Sequence, residues 1–318
     1  MTEEQKKHPL IVLAGPTAAG KTALSVRLAK ALDGEIISAD SMQVYRHMDI
    51  GSAKVTKEEM GGIPHHLIDI AEPEEDFNVV VFQKLAQKAI ADICGRGKLP
   101  ILVGGTGFYI QSVLYGIDFT ETQEDSACRE RLLKLARQEG AEALHAMLSR
   151  VDPKAAGQIH ANNIKRVIRA LEYHAQTGER ISDHNERERQ KQSVYRSRYF
   201  VLTDERAKLY ARIDRRVDAM MQNGLVDEVR SLQKRGLTKD MVSMKGLGYQ
   251  EILSCLEGEY DLERAVYLIK QNTRHFAKRQ LTWFKREKNV IWVDRSRFLE
   301  ENSILQFLIE QSKELTDG

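Results

Sequence analysis

The chain has 318 residues, of which 42% are hydrophobic and 30% charged, and its formal net charge is +2 at pH 7. The length suffices for two domains, and the composition is that of an ordinary globular protein. No apolar run approaches the roughly 18 residues of a membrane span, and the polar N-terminus lacks a signal peptide's apolar stretch. Three dispersed cysteines, Cys94, Cys128 and Cys255, form neither a zinc spacing nor a disulfide framework, so we expect a reducing, cytoplasmic compartment.

Short apolar segments alternate with helical patterns early in the chain and recur near its end. Alternation of this kind predicts an α/β fold in which a parallel sheet is flanked by helices on both faces. The predicted strands are LIVLA (10–14), GEIISA (34–39), LPILVGG (99–105), SRYFVL (197–202) and NVIWVD (289–294).

The first predicted strand continues into GPTAAGKT (15–22), which fits the phosphate-binding pattern G-x-x-x-x-G-K-[ST]. A segment with helical spacing follows, so the strand–loop–helix context is present. Gly15 and Gly20 permit a tight backbone path whose N–H groups point at an anion, and Lys21 adds a positive charge. Thr22 supplies a hydroxyl for Mg²⁺. The pattern therefore predicts a P-loop, although it leaves open whose phosphate is bound.

The ends of two further strands bear on that question. A nucleotide triphosphatase needs an acid after a second buried strand to position Mg²⁺, but LPILV continues into GGTGFY. The glycines of this segment allow a close approach to the backbone, or they form a plain turn. Asp40 follows the second strand and faces the same crevice as Lys21, because ligands of open α/β sheets bind at the carboxyl ends of strands. A helix N-cap, or the Mg²⁺-positioning acid of a kinase, is equally compatible with this position of Asp40.

The segment from Thr120 to Tyr195 contains no convincing strand. CRERLLKLARQEG, AEALHAMLSRV and NNIKRVIRALEYHAQTG have apolar residues at helical spacing, and Gly178 follows the last of these helices as a cap. The polar run SDHNERERQKQS (182–193) predicts a loop. We therefore predict a P-loop α/β catalytic core at residues 1–119 and 196–318, with an all-helical insertion domain at residues 120–195.

A basic stretch near the C-terminus departs from the overall neutrality. From Arg264 to Lys288 there are eight Lys or Arg residues and a single acid, Glu287. On a helix, Arg274, Lys278 and Lys285 fall near one face. As an isolated signal, this pattern is typical of a solvated helix face, whereas an anionic partner such as RNA is the functional interpretation.

Together these motifs resemble one family. GPTAAGKT, ISADSMQVYRHMDIGSAK, PHHLIDI, LVGGTGFYI, RVIRALE and KRQLTWFK occur in the order found in bacterial tRNA dimethylallyltransferases, the tRNA isopentenyltransferases, over about residues 10–294. The resemblance implies a fold similar to that of nucleotide kinases, with a P-loop that holds the diphosphate of dimethylallyl diphosphate. It also implies transfer of the five-carbon group to the exocyclic N6 of the adenosine 3′-adjacent to the anticodon in tRNA, assisted by Mg²⁺. The insertion would embrace the anticodon stem-loop.

The resemblance also assigns roles to individual residues. The diphosphate would be bound by Gly15, Pro16, Thr17, Ala18, Ala19, Gly20, Lys21 and Thr22. Asp40 would be the general base, with Lys21, Thr22 and Arg216 as further catalytic residues and Thr22 as the metal ligand, although Arg215 leaves the register of that arginine open. The tRNA would be contacted by Asp40, Ser41, Met42, Gln43, Thr106, Arg129, Lys165, Arg166, Val167, Ile168, Arg169, Lys245, Gly246, Leu247, Gly248 and Tyr249.

Two other functional classes are compatible with parts of the sequence. An ATP-dependent small-molecule kinase would use the same P-loop, and a non-enzymatic RNA-binding protein would use it to sense a nucleotide. The GGTG segment disfavours the kinase, since a metal-positioning acid is expected there, and Asp40 disfavours the pure binding protein. We expect Mg²⁺ as the cofactor, tRNA and dimethylallyl diphosphate as partners, no membrane association, and a monomer.

Overall fold

The computed structural model of the protein describes residues 7–119 and 126–316. The chain divides into two compact units, one of residues 1–116 with 193–318 and one of residues 117–192. The boundaries predicted from the sequence, residues 120 and 195, each lie three residues further along the chain. Among the described residues, no helix combines the length and the apolar character needed to cross a bilayer.

The first unit contains a six-stranded parallel sheet in the order β3-β2-β4-β1-β5-β6. The five predicted strands are confirmed to within one residue at each end, whereas the two-residue β3 is too short to produce a sequence pattern. The strands are β1 (Pro9–Ala14), β2 (Gly34–Ala39), β3 (His65–His66), β4 (Leu99–Gly104), β5 (Arg196–Thr203) and β6 (Val290–Asp294).

Helices occupy the intervals between the strands. They are α1 (Lys21–Ala31), α2 (Lys57–Met60), α3 (Val79–Gly95), α4 (Gly107–Tyr115), α5 (Ser126–Glu139), α6 (Ala141–Val151), α7 (Pro153–Ala156), α8 (Ile164–Thr177), α9 (Ile181–Gln190), α10 (Arg206–Gln222), α11 (Leu225–Lys234), α12 (Tyr249–Leu256), α13 (Leu262–Phe284) and α14 (Glu301–Thr316). Short 3₁₀ turns lie at Ser243–Lys245 and Arg295–Arg297.

Both faces of the sheet are covered, which explains why its strands read as continuous apolar runs. Successive residues of β1 point to opposite faces. Accordingly, Leu10 and Val12 pack in one hydrophobic cluster, with side chains of α3, α4 and α13, whereas Ile11 and Leu13 pack in another, with α1 and α14. The predicted fold class, a P-loop-type parallel sheet flanked by helices, is confirmed.

The described residues of the second unit form helices α5–α9 joined by short connections, without a strand. Leu132, Leu144 and Leu148 form its hydrophobic core with apolar residues of α8. The predicted loop at residues 182–193 is wrong over most of its length, because residues 181–190 form α9. The buried Asp152 carboxylate accepts a hydrogen bond from the Ser182 backbone N–H at 2.9 Å. This tertiary contact fixes the first turn of a helix whose polar sequence has little apolar periodicity.

Candidate active site

The P-loop connects the buried end of β1 to α1. Gly15 and Gly20 have φ angles of 150° and 85°, and a Cβ on Gly15 would lie 2.8 Å from the Leu202 carbonyl oxygen. Ala18, at the apex, also has a left-handed φ of 60°. The loop therefore depends on glycine both for its backbone angles and for its close approach to β5.

Lys21 begins α1 and bends back over the loop. Its Nζ donates hydrogen bonds to the carbonyl oxygens of Gly15 and Pro16, at 3.0 and 2.8 Å. Burial lowers the pKa of the Lys21 ammonium to about 8, with a further lowering from Arg216 and an opposing effect from Asp40. Because a nearby anion favours the charged form, bound diphosphate would raise this pKa again.

Arg216 of α10 reaches the same loop. Its guanidinium nitrogens lie 3.4 Å from the Thr17 hydroxyl and 3.4 Å from the Ala53 carbonyl oxygen. Burial lowers the pKa of Arg216 too, although the negative charge of Asp40 works against this shift. Its neighbour Arg215 is exposed. The geometry therefore places Arg216, and not Arg215, beside the P-loop.

Asp40 lies immediately after β2 and has two kinds of environment. Its Oδ1 accepts hydrogen bonds from the backbone N–H groups of Met42 at 2.9 Å and Gln43 at 3.4 Å, so one oxygen caps the turn that follows the strand. The carboxylate also lines the same cavity as Lys21 and Thr22. In the described structure no helix begins here, so the helix N-cap considered from the sequence is not what the structure shows; the two hydrogen bonds cap a turn and fix the orientation of a carboxylate that lines the cavity with Lys21.

The cavity holding these residues measures about 50 Å³. The polar side chains of Lys21, Thr22, Asp40 and Gln43 line it together with an apolar set: Ile36, Val55, Ile68 and Val103. Protein-bound Mg²⁺ is commonly held by one or two carboxylates together with substrate phosphates and water. In P-loops, however, the protein's own ligand is the Ser or Thr hydroxyl after the lysine, so Thr22 is the residue that would hold Mg²⁺ with the substrate phosphates.

The GGTG segment forms the turn between β4 and α4, where each glycine is packed against a neighbouring segment. A Cβ on Gly104 would lie 2.1 Å from the Ala39 carbonyl oxygen, and one on Gly107 would lie 2.2 Å from Trp283 Cδ1. Thr106 Oγ1 accepts a hydrogen bond from the Ser41 backbone N–H at 3.2 Å. The close-approach interpretation of the glycines is thus confirmed, and Thr106 lies beside the Asp40 turn.

Two arginines that the sequence analysis does not identify donate hydrogen bonds to backbone carbonyl oxygens of the P-loop. Arg212 Nε donates to the Ala18 carbonyl oxygen at 2.9 Å, and Arg295 NH1 donates to the Ala19 carbonyl oxygen at 3.2 Å. The carboxylate of Asp204 is only 5% exposed and lies 2.8 Å from Arg212 NH1. Arg212 precedes Arg216 by four residues, so both project from one face of α10 toward the loop. That spacing is the sequence signal that could have identified Arg212.

Comparison with known proteins gives a consistent result. A model for IPP transferase matches residues 43–287, and one for isopentenyl transferase matches residues 8–71. A tRNA dimethylallyltransferase of Lachnoclostridium phytofermentans is 57% identical over 303 residues, which cover 95% of this chain and 97% of that protein. The chain belongs to the tRNA dimethylallyltransferase family.

Solved structures of the tRNA dimethylallyltransferase family share the fold along nearly the whole chain. The full-length tRNA isopentenylpyrophosphate transferase from Bacillus halodurans is 45% identical with a TM-score of 0.73, and the match covers 98% of this chain and 99% of that one. A eukaryotic dimethylallyltransferase acting on tRNA is 29% identical with a TM-score of 0.83, covering 96% of this chain and 79% of that one. None of these matches supports the kinase alternative.

The predicted tRNA-contacting segment 165–169 separates into two kinds of residue. Lys165, Arg166 and Arg169 are exposed on α8. Val167 and Ile168 are buried in the core of the second unit. The inclusion of these two side chains in an RNA surface is therefore wrong, because helical periodicity directs them inward.

Two other predicted tRNA contacts have partners within the protein. The guanidinium of Arg129 forms a bidentate pair with the Glu172 carboxylate, with both N–O distances at 2.9 Å, while its side chain stays 50% exposed. Tyr249 is fully buried, and its hydroxyl donates to Glu228 at 2.8 Å and accepts from the Ser52 N–H at 3.1 Å. Tyr249 thus has no side-chain surface for RNA, and its prediction as a contact is wrong.

The remainder of the 245–249 segment is partly accessible. Lys245 is exposed and Leu247 half-buried, whereas Gly246 and Gly248 are buried. A Cβ on Gly246 would lie 2.5 Å from Met42 Cε, so this segment packs directly on the turn after Asp40. Lys245 is the charged side chain that the segment offers to a phosphate backbone.

Proposed function

We propose that this chain transfers the dimethylallyl group of dimethylallyl diphosphate to the exocyclic N6 of the adenosine 3′-adjacent to the anticodon in tRNA, releasing diphosphate. The observation that carries the proposal is the convergence of Lys21, Arg216 and Asp40 on one P-loop, in a sheet whose strand β4 ends in glycine instead of a metal-positioning acid. The relatives named as tRNA dimethylallyltransferases support it.

The donor side of the reaction follows from the charge around the loop. Allylic diphosphates ionise readily because the positive charge of the carbon fragment is shared across the allyl group, and the departing diphosphate gains negative charge. Lys21, Arg216 and the loop amides stabilise that developing charge, and removal of one such donor typically costs about 10²–10³-fold in rate. Thr22 would hold Mg²⁺ together with the diphosphate, and the ion would supply further charge stabilisation.

The acceptor side needs a base, because the lone pair of an adenine amine is delocalised into the ring. The Asp40 carboxylate is oriented by the amides of the turn after β2, and we assign it the acceptance of the N6 proton. A positioned general base contributes about 10²–10⁴-fold. Thr106, hydrogen-bonded to Ser41 beside it, is placed to contact the reacting base.

The exposed basic residues of α8, with Arg129 and Lys245, are proposed contacts for the RNA backbone. Adenine must leave the anticodon-loop stack to reach Asp40, and a loop base gives up less pairing energy than a duplex base. We propose that the anticodon stem-loop is the part of tRNA bound, and that the enzyme acts as a cytoplasmic monomer.

The basic residues of α13 contribute less to this surface than their number implies. Lys270 and Arg274 pair with Asp218 and Asp214 of α10, at 2.6 and 2.5 Å. Their charges are therefore largely used within the protein. Lys278 is exposed and is the better candidate on this helix for a phosphate contact.

In the test, the purified protein is incubated with tRNA, Mg²⁺ and either labelled dimethylallyl diphosphate or γ-labelled ATP. We expect label in tRNA only from the allylic donor, recovered after digestion as an N6-substituted adenosine. A tRNA carrying guanosine at the target position, which lacks N6, is the matched control and should stay unlabelled. Turnover of ATP without label in tRNA would overturn the proposal.

A further inference from the structure

Gln280 of α13 forms a bridge between the two halves of the active site. Its Oε1 accepts a hydrogen bond from the Thr17 backbone N–H of the P-loop, and its Nε2 donates to the Gly105 carbonyl oxygen of the GGTG turn, both at 2.9 Å. The side chain is 6% exposed. Both polar ends of one buried amide are therefore satisfied by backbone groups of two different site segments.

The packing around this bridge is tight. A Cβ on Gly105 would lie 2.2 Å from Gln280 Nε2 and 3.3 Å from the Gly15 carbonyl oxygen. On the helix side, Ala277, one turn before Gln280, is fully buried against Leu209 and Ile213 of α10. The helix position and the glycine together fix how deeply the amide reaches between the two segments.

The contacts continue from the bridge to the general base. After Gly105, the Thr106 backbone N–H donates to the Ala39 carbonyl oxygen at 3.2 Å, and Thr106 Oγ1 accepts from the Ser41 N–H at 3.2 Å. Ala39 and Ser41 flank Asp40. The chain of bonds therefore runs from the P-loop through Gln280 to the turn that carries Asp40.

The bridge also determines which loop amide is available to an anion. The Thr17 N–H points to Gln280, so the diphosphate is left to the later amides of the loop and to Lys21. A neutral amide can supply an acceptor at one end and a donor at the other, which a carboxylate or an apolar side chain of similar size cannot do.

We propose that Gln280 is a positioning residue that sets the distance between the P-loop and the GGTG turn, and thereby between the allylic carbon and the adenine N6. The inference rests on the proposed function. Rates of bond formation between two bound reactants depend steeply on their separation and alignment, and a displacement of about 1 Å can cost about 10²-fold. Gln280 acts through the two segments and does not itself touch the reacting atoms.

The experiment compares the wild type with Gln280→Leu and Gln280→Glu. Gln280→Leu removes both bonds at nearly the same volume, whereas Gln280→Glu keeps an acceptor for the Thr17 N–H and loses the donor to Gly105. We expect the single-turnover rate at saturating substrates to fall at least about 10-fold in both variants, while the affinities for inorganic diphosphate and tRNA each stay within about threefold in Gln280→Leu. Amide exchange at Thr17 should accelerate in Gln280→Leu only.

The matched control is Gln83→Leu. Gln83 is another buried glutamine, 8% exposed, whose Nε2 donates to the Ser112 carbonyl oxygen at 2.8 Å between α3 and α4. The Gln83→Leu substitution should lower the melting temperature without lowering the single-turnover rate. If Gln280→Leu does not fold, the single-turnover rate of Gln280→Glu tests the positioning role instead.

The outcomes separate the two proposals. A wild type that transfers no label overturns the proposed function and the positioning role with it, while Thr17 exchange still tests the hydrogen-bonded bridge. A wild-type rate in a folded Gln280 variant, or losses of affinity and melting temperature that account for the whole defect, overturns the positioning role alone.

Discussion

Buried charge lies at both ends of β2, and the two ends differ in how that charge is balanced. At the start of the strand, Glu35 is 2% exposed and bonds both Arg96 and His66, with His66 Nε2 at 2.7 Å. Hydrogen bonding to Arg96 holds the pKa of Glu35 below its usual value. At the other end, Lys21 and Arg216 lie near the carboxylate of Asp40, and burial lowers the pKa of both cations.

The difference separates a structural ion network from a binding site. A carboxylate that already bonds Arg96 and His66 gains little from a further ligand. Two cations brought together at a loop of inward-pointing amides gain from an anion, because it relieves both their desolvation and their mutual repulsion. The same strand therefore has one end whose charges are balanced within the protein and one end that favours a bound anion.

The first prediction concerns the start of β2, where Glu35→Gln removes the charge of the buried carboxylate. We expect a loss of about 2 kcal/mol in the free energy of unfolding, because hydrogen bonds to a charged carboxylate are lost while the Arg96 side chain left behind is 43% exposed and can be solvated. Urea unfolding at pH 7 measures it. Glu310→Gln, which removes a carboxylate from an exposed pair with Lys313, is the control and should cost less than about 1 kcal/mol. A Glu35 variant as stable as the wild type would contradict the structural role.

The second prediction concerns the P-loop end of β2, where Lys21→Ala removes one of the two cations. We expect the transfer rate to fall by about 10²-fold, since a charged donor to the leaving diphosphate is lost, while tRNA affinity stays near the wild-type value. Single-turnover kinetics and filter binding measure the two quantities. Lys30→Ala removes an exposed lysine from the same helix and should leave both unchanged. A large loss of tRNA affinity in Lys21→Ala would instead place the loop in the RNA site.

Glu287 sharpens the comparison, because burial raises the pKa of this carboxyl to about 7, the opposite direction from Glu35. A raised folded-state pKa means that stability is greatest below the unfolded pKa of about 4.5 and falls as pH rises toward 7. Glu287→Gln should therefore stabilise the protein by about 1–2 kcal/mol at pH 8 and by much less at pH 4.5. Melting temperatures at the two pH values test this, and an equal change at both would contradict it.

The sequence was sufficient for the parts of the fold that depend on local pattern. The strand that precedes GPTAAGKT, the acid after GEIISA and the glycines after LPILV place Lys21, Asp40 and Thr106 at one edge of a parallel sheet. Arg212 has a sequence signal, its spacing of four residues from Arg216 on α10. Gln280 and Arg295 have none, because the local patterns of their segments predict a helix and a turn but not the distant loop that these side chains contact.

The wrong predictions have a common physical origin. Residues of a motif were treated as one surface, but Val167 and Ile168 point into a helical core while their charged neighbours point outward. Tyr249 likewise belongs to a glycine-rich segment and is used internally, as a hydrogen-bond partner of Glu228. The polar segment of α9 was interpreted as a loop because its anchor, Asp152, lies 30 residues away.

The most direct test of the account is the single-turnover transfer rate of Asp40→Asn across a titration of Mg²⁺. The asparagine keeps an acceptor oxygen for the Met42 amide, but it cannot take a proton from N6. We predict a loss of about 10²-fold or more that added Mg²⁺ does not restore, with nearly normal affinity for both substrates. Recovery of the rate at high Mg²⁺ would make Asp40 a metal-positioning residue, and a wild-type rate would remove it from the chemistry.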